Sequence, residues 1–425
     1  MRYSAMPNAL PDDGIWGEAG FNDAGVAMSE TETLTSNPRV LGADPLVKGG
    51  IGEEDMLTIV LPYIHTAREG VLRLGHLLEK YGTYEMNGIG FQDRDEVWWL
   101  ESVGGHHWMA KRCPDDCYVV MPNQQGIDSF DFVDALGEGR DHLCDAGLCA
   151  FVTEDHLDVS LSEIPVEQQT DFDARGAFGS RSDHDHSYNT PRAWAMLRYL
   201  DPTSFRWDGP DADFTPESDD LPWCMVPERK ITVEDIKYVL SYYYQHTRWD
   251  PYGHYGDDSE RGRYRPIGIN RNNFVAITQL RPGLPDALAA VEWIAVGSNA
   301  FNGLVPFYAH VDTAPDYLAC TGKEVTTESF YWANRILGAL ADAHYRGCIG
   351  AIERYQQKLS SIGHAMLKEH DAAFLRQTPA DITADLTEAN ERMAEAARRE
   401  TAAVLDQVLL IASNGMKNAY ARSDA

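Results

Sequence analysis

The sequence is short of basic side chains. Against 66 aspartates and glutamates stand 36 lysines and arginines, a formal charge of −30 over 425 residues. Polyanions repel such a surface, so nucleic acid and anionic membrane surfaces drop out as partners. No stretch approaches 18 consecutive apolar residues, which excludes a membrane-spanning helix from this sequence. HExxH, the P-loop motif and GxSxG are absent, and no Rossmann glycine fingerprint follows a strand. Zinc-peptidase, P-loop and α/β-hydrolase readings therefore lose their usual support. There is no internal repeat and no low-complexity linker. The opening residues, Met1 to Asn8, carry no charged n-region, apolar core or small-residue cleavage site, so nothing in them directs export.

Cysteine is sparse. Seven thiols, at 113, 117, 144, 149, 224, 320 and 348, are an odd number in a long chain, not a small disulfide framework. Reduced thiols in a cytoplasm are the simplest reading, and a cytoplasmic location is expected. Cys113 and Cys117, or Cys144 and Cys149, have spacings at which thiolates can bind zinc. Cys113-Pro114-Asp115-Asp116-Cys117 reads more simply as a turn leading into a strand.

What is present is ordinary globular material, 44% hydrophobic and 10% aromatic, enough to bury a sizeable core. Residues 1–45 read as β structure and tight loops, with a strand-like run from Val26 through Thr35. Leu57, Val60, Leu61 and Ile64, then Val71, Leu74, Leu77 and Leu78, recur at helical spacing over 54–80. Pro62 and Gly70 are the candidate breaks. From 83 to 120, short runs such as Val97-Trp98-Trp99-Leu100-Glu101 alternate with polar and glycine turns, the pattern of an antiparallel sheet. The stretch 168–230 is polar, with a helix expected at 190–200 and Pro191 in its first turn. A further helix starts at Thr232, a long polar loop covers 249–265, and strands follow near 274–280 and 289–296. From 328 onward the pattern is mostly helical. Leu386, Met393, Ala397, Val404, Val408 and Ile411 form an apolar stripe of the kind that packs on a core.

Several residues carry candidate chemistry. His106 and His107 are adjacent, so on a strand they point to opposite faces and do not share a metal readily. In Ser182-Asp183-His184-Asp185-His186, the two histidines would share a face if the segment were extended, and could hold a divalent ion; a polar loop is the plainer reading. Asn123, in Pro122-Asn123-Gln124, could donate to a developing oxyanion, or serve as a turn residue. Arg261, Arg263 and Arg265 alternate, and could grip a carboxylate or orient a catalytic group, or line a solvated loop.

Taken in order, these segments resemble the dipeptidases of peptidase family C69, cysteine members of the N-terminal nucleophile hydrolase superfamily. The matching stretches are Gly14-Ile15-Trp16-Gly17-Glu18-Ala19-Gly20, Thr31 to Pro45, Gly49-Gly50-Ile51-Gly52-Glu53-Glu54-Asp55 and Tyr81 to Gly88. Trp98-Trp99-Leu100-Glu101, Gly104-Gly105-His106-His107-Trp108, Pro114-Asp115-Asp116 with Pro122-Asn123-Gln124, and Tyr264 to Arg271 complete them. The resemblance spans nearly the whole chain. It implies an α+β fold, a four-layer αββα sandwich with two stacked antiparallel sheets over residues 1–327, and a helical C-terminal extension, 328–425. It implies dipeptide substrates, no metal and no cofactor. The nucleophile is a cysteine at the N-terminus of the mature chain, whose own α-amine takes the thiol proton; a thioester forms and water releases it.

From the related bile salt hydrolases and penicillin acylases the resemblance also assigns site residues. Asn22 opens the Asn22-Asp23-Ala24-Gly25 turn. Glu32 stands where those enzymes carry an oxyanion-hole asparagine; a carboxylate there suits the free α-amine of a dipeptide instead. Asn123 matches their other active-site asparagine, and Arg263 their active-site arginine, with Arg265 its nearest competitor. Met1 aligns inside the family pattern and none of the seven cysteines is N-terminal. The expectation is therefore that the chain as written lacks the nucleophile segment with its strands, hydrolyses no dipeptide and is poorly stable in isolation. A non-catalytic dipeptide-binding or scaffold relative and a metal-dependent hydrolase using His184 and His186 are the alternatives, and a homo-oligomer is compatible with the sequence.

Overall fold

The computed structural model of the chain describes residues 1–6, 16–31, 33–254, 256–270, 272–319 and 321–416. They form two compact units, one built mainly from residues up to 235 with 257–265, the other from 236–256 and 266 onward.

In the first unit β1 (Ala19–Phe21) and β2 (Ala27–Glu30) lead to α1 (Pro38–Ala43), α2 (Glu53–Val60) and α3 (Ala67–Tyr81). Then come β3 (Gly88–Gln92), β4 (Val97–Val103), β5 (His107–Arg112), β6 (Tyr118–Val119), α4 (Phe132–Leu136) and β7 (His142–Cys144). Strands β1-β2-β3-β4-β5-β7 form one sheet in that order, antiparallel throughout. The run from Val26 stops being strand at Glu30 rather than Thr35. Pro62 does separate α2 from α3, within a 3₁₀ turn at Leu61–Tyr63. Gly70 does not break α3; it lies inside it, against Phe91. Thr66 caps the start of α3: its side chain accepts from Glu69 N, while Glu69 Oε2 accepts from His65 N, one residue before the cap, at 2.6 Å.

Alternation along the strands sorts the core into two faces. Trp98, Leu100, Trp108 and Ala110 pack with Val60, Val71, Leu74 and Leu78 of α2 and α3. Val103 and Met109 point the other way, into a cluster with Phe130, Phe132, Phe172 and Trp223. Because α3 lies flat on the sheet, Gly75 has no room for a side chain: a Cβ there would lie 2.2 Å from Trp108 Cε2. Gly75→Ala is expected to destabilise by about 1–3 kcal/mol through overpacking, read as a lowered Tm; an unchanged melt would contradict this packing.

The unit continues with α5 (Leu148–Glu154), α6 (Ala174–Phe178), α7 (Asp185–Tyr188), α8 (Thr190–Leu200) and β8 (Cys224–Met225), which pairs with β6. Residues 185–188 are helical, not extended, so His184 and His186 do not share a strand face: His184 stacks on Tyr188 and His186 bonds Asp219 at 2.8 Å.

At the border of the units lies α9 (Val233–Leu240); the second unit goes on with β9 (Phe274–Leu280), α10 (Asp286–Ala289), β10 (Ala290–Val296) and β11 (Val305–Tyr308). The strands form an antiparallel sheet in the order β11-β10-β9, with β10 buried along its whole length. After α11 (Asp316–Ala319) come the long helices α12 (Phe330–Ala343), α13 (Tyr345–Arg376) and α14 (Ile382–Asn414). The stripe from Leu386 to Val408 on α14 is buried. Asn390 of α14 accepts from Tyr308 N at 2.8 Å and donates to Tyr308 O at 3.0 Å. One side-chain amide thus blunts the open edge of β11, a site otherwise prone to pairing with other chains. Among the described residues no helix is long and apolar enough to cross a membrane.

Candidate active site

The segment after β2 is held by backbone bonds on both sides. Thr31 N donates to Gly88 O at 2.9 Å, Leu34 N to Met86 O at 2.6 Å and Thr35 N to Asn123 O at 3.1 Å. Asn123, in the loop after β6, is thereby brought beside a segment 88 residues earlier in the chain.

Arg192 fixes how Asn123 points. It sits in the first turn of α8, where Pro191 presets the helical backbone, and is only 8% exposed. Its Nε donates to Tyr188 O at 2.6 Å and its Nη2 to Asn123 Oδ1 at 2.8 Å and to Asn189 Oδ1. A guanidinium can only donate, so both amides must turn their oxygens toward it. The Nδ2 of Asn123 then faces away, as a donor. Asn189 in turn donates Nδ2 to Asp185 Oδ1 at 2.6 Å, and Asp185 also accepts from Thr35 Oγ1 at 2.8 Å and Ser182 Oγ at 2.7 Å. Burial pushes the Asp185 carboxyl up, but hydrogen bonds from Ser180, Asn189, Ser182 and Thr35 outweigh it and hold the group below the ordinary carboxylate range. An ionised Asp185 anchors Asn189, Asn189 and Asn123 share one arginine, and the chain of donors ends on a fixed amide. Sequence reasoning found Asn123 but not Arg192, Asn189 or this role for Asp185; the only local signal was the helix start at Thr190-Pro191.

The two arginine candidates part company. Arg263 is exposed and engaged by Glu217 at 2.7 Å and Glu260 at 3.5 Å. The Arg265 guanidinium lies 4.5 Å from the centre of the Tyr188 ring, over which Arg192 also sits at 4.9 Å, and Arg265 N donates to Ser187 O at 3.0 Å. The structure thus brings Arg265, not Arg263, to the asparagine network. Asn22 is buried with its amide fully committed: Nδ2 donates to Leu61 O and Ile64 O at 2.8 Å, and Oδ1 accepts from Ala24 N and Val26 N at 3.0 Å. Glu32 lies outside the described residues.

The two histidines after Gly105 are structural in their partners. His106 binds Asp44 at 2.9 Å and His107 binds Asp145 at 3.0 Å. Of the cysteines, Cys320 lies outside the described residues. Burial raises the other six: Cys113 and Cys149 to about 11, Cys117 to about 12, and Cys144, Cys224 and Cys348 likewise upward. A thiol kept protonated at neutral pH is a poor nucleophile, so none of these six is poised for attack. Cys113 and Cys117 close the turn before β6, as the plainer sequence reading has it.

Comparison with known proteins places this chain in a family. The model of peptidase family C69 matches residues 1–358. A dipeptidase of Bifidobacterium longum (strain NCC 2705) is 51% identical over the whole of this chain and 88% of its own length. A probable dipeptidase A of Streptococcus pyogenes serotype M18 is 50% identical over all of this chain and 85% of its own. Dipeptidase A of Lactobacillus helveticus is 38% identical over 96% of this chain and 82% of its own length. With a family model over most of its length and relatives this similar along all of it, the chain belongs to peptidase family C69.

Proposed function

We propose that this chain serves the hydrolysis of dipeptides, by attack of an N-terminal cysteine thiol on the peptide carbonyl and release of the resulting thioester by water. The relatives' names supply the substrate class and the family resemblance supplies the thiol. The observation that carries the reading is the orientation of Asn123: with its oxygen locked on Arg192, its Nδ2 is a preset donor for the oxyanion that forms as the carbonyl is attacked. Arg192, Asn189 and Asp185 act through Asn123 as positioning residues. The proposal gives the active-site arginine role to Arg265 in place of Arg263, because Arg265 shares Tyr188 with Arg192. Glu32 keeps its proposed place near the substrate, and Asn22 enters at one remove, by holding the turn before β2.

The fold proposed is the four-layer αββα sandwich, with 328–425 as the helical extension of a hydrolase domain over 1–327. Its support is that each unit has an antiparallel sheet with helices laid on it, α3 on β3, β4 and β5 in one and α13 and α14 on β11 in the other. The test is turnover of a simple dipeptide such as Ala-Ala. The 425-residue chain alone is expected to release no amino acid, because the described thiols are held neutral. The same chain preceded by a cysteine-initiated family segment is expected to turn over, and to lose activity on alkylation. Thiol-dependent turnover by the 425-residue chain alone would overturn the placement of the nucleophile; inactivity of both would overturn the function.

A further inference from the structure

Glu30 closes β2, and both of its carboxyl oxygens are covered from solvent without a hydrogen-bond partner. Its surroundings make this worse rather than better. Burial, and then the charges of Glu18, Glu53, Glu85 and Glu54 in that order, push its carboxyl well above the ordinary range. Among the described residues, donors at the neighbouring glutamates are committed to those glutamates. Tyr84 OH goes to Glu54 at 2.6 Å, and Thr33 Oγ1 and Glu53 N go to Glu85 at 2.8 and 3.2 Å. A lone buried carboxylate is costly unless an opposite charge reaches it.

The chemistry of that opposite charge can be narrowed. Among the described residues, no group of three or more histidines, cysteines, aspartates or glutamates converges to hold a metal ion. A bare carboxylate with all its lone pairs open is instead matched by a ligand that carries its own N–H donors and one positive charge. An ammonium offers three donors and no acceptor. Glu30 also begins the segment whose far end, Thr35, is bonded to Asn123. We propose that Glu30 receives the free α-ammonium of the dipeptide substrate and so selects peptides with an unblocked N-terminus. This rests on the dipeptide reading above. The resemblance gave the α-amine to Glu32, two residues on, which lies outside the described residues; among the described residues of this segment, the carboxylate without a partner is that of Glu30.

The test is binding, measured by calorimetry on the 425-residue chain with Ala-Ala and with N-acetyl-Ala-Ala. The wild-type chain should bind the free-amine ligand about tenfold or more tighter, the value of a charge-assisted hydrogen bond. Glu30→Gln keeps the shape, should abolish that preference, and should melt at a higher temperature because the cost of burying a carboxylate, and with it the like-charge repulsion, is gone; Glu32→Gln should keep the preference. Equal binding of both ligands by the wild type, binding of neither, a preference that survives in Glu30→Gln, an equal loss of both ligands in that variant, or a preference that disappears only in Glu32→Gln would each overturn the assignment. Hydrolysis is a separate readout. If a cysteine-initiated chain hydrolyses no dipeptide while the amine preference follows Glu30, the function fails and the ammonium site stands.

Discussion

Asn123→Ala is expected to lower kcat for dipeptide hydrolysis by about 10²–10³-fold, the usual cost of losing one oxyanion donor, with KM nearly unchanged. The split follows from the geometry. The Nδ2 of Asn123 is held for a charge that exists only as the carbonyl is attacked, so its loss falls on the transition state rather than on substrate binding. Arg192→Lys provides the companion measurement. A lysine keeps the positive charge but lacks the planar fork that reaches Tyr188 O and two amide oxygens together. It should lower kcat by freeing Asn123 to rotate, with the loss again in kcat rather than KM. Both are steady-state measurements on the cysteine-initiated chain. An Asn123→Ala variant whose defect lies wholly in KM would mean that the amide binds ground-state substrate instead.

Asp185→Ala is expected to have the larger effect on stability, about 3 kcal/mol, because the buried Asn189 and the less buried Thr35 and Ser182 lose one shared acceptor at once. Thr35, Ser182 and Asn189 all end on this one carboxylate, and Asp185 and Asn189 are both inaccessible to solvent. The same group sets a pH dependence. Its folded-state pKa is lowered, so between that value and the unfolded value of about 4 the unfolded chain binds more protons. The contribution of Asp185 is therefore fully present above about pH 4 and is lost as pH falls through the folded pKa. Urea denaturation at pH 7 and near pH 3 would show it: the gap between wild type and Asp185→Asn should shrink toward the acid end. A gap independent of pH would mean that the hydrogen bonds do not require the ionised form.

Much of the secondary structure was legible because it is written locally. The helical spacing over 54–80 gave α2 and α3, and the alternation around Trp98 and Trp99 gave the hairpins of the six-stranded sheet. One feature misled. Gly70 read as a break, yet a glycine inside α3 is what lets the helix approach Phe91. The β11 strand carries Pro306, a residue that argues against a strand. It is tolerated there on an edge, where the side chain of Asn390 from α14 supplies the bonds that a neighbouring strand would have made.

By itself the sequence determined the family, through long motifs in a fixed order, and the periodicity of its helices and strands, because both are properties of neighbouring residues. It also singled out Asn123. Only the tertiary structure decided what aims that amide. Arg192 is 69 residues away and Asp185 is 150 residues from Thr35, and no local pattern encodes a hydrogen bond across such a gap. The same holds for charge. A net charge of −30 says how the whole molecule meets polyanions. That one glutamate, Glu30, is shut away from water with no partner depends on which β-strand and which helix N-terminus fold against it.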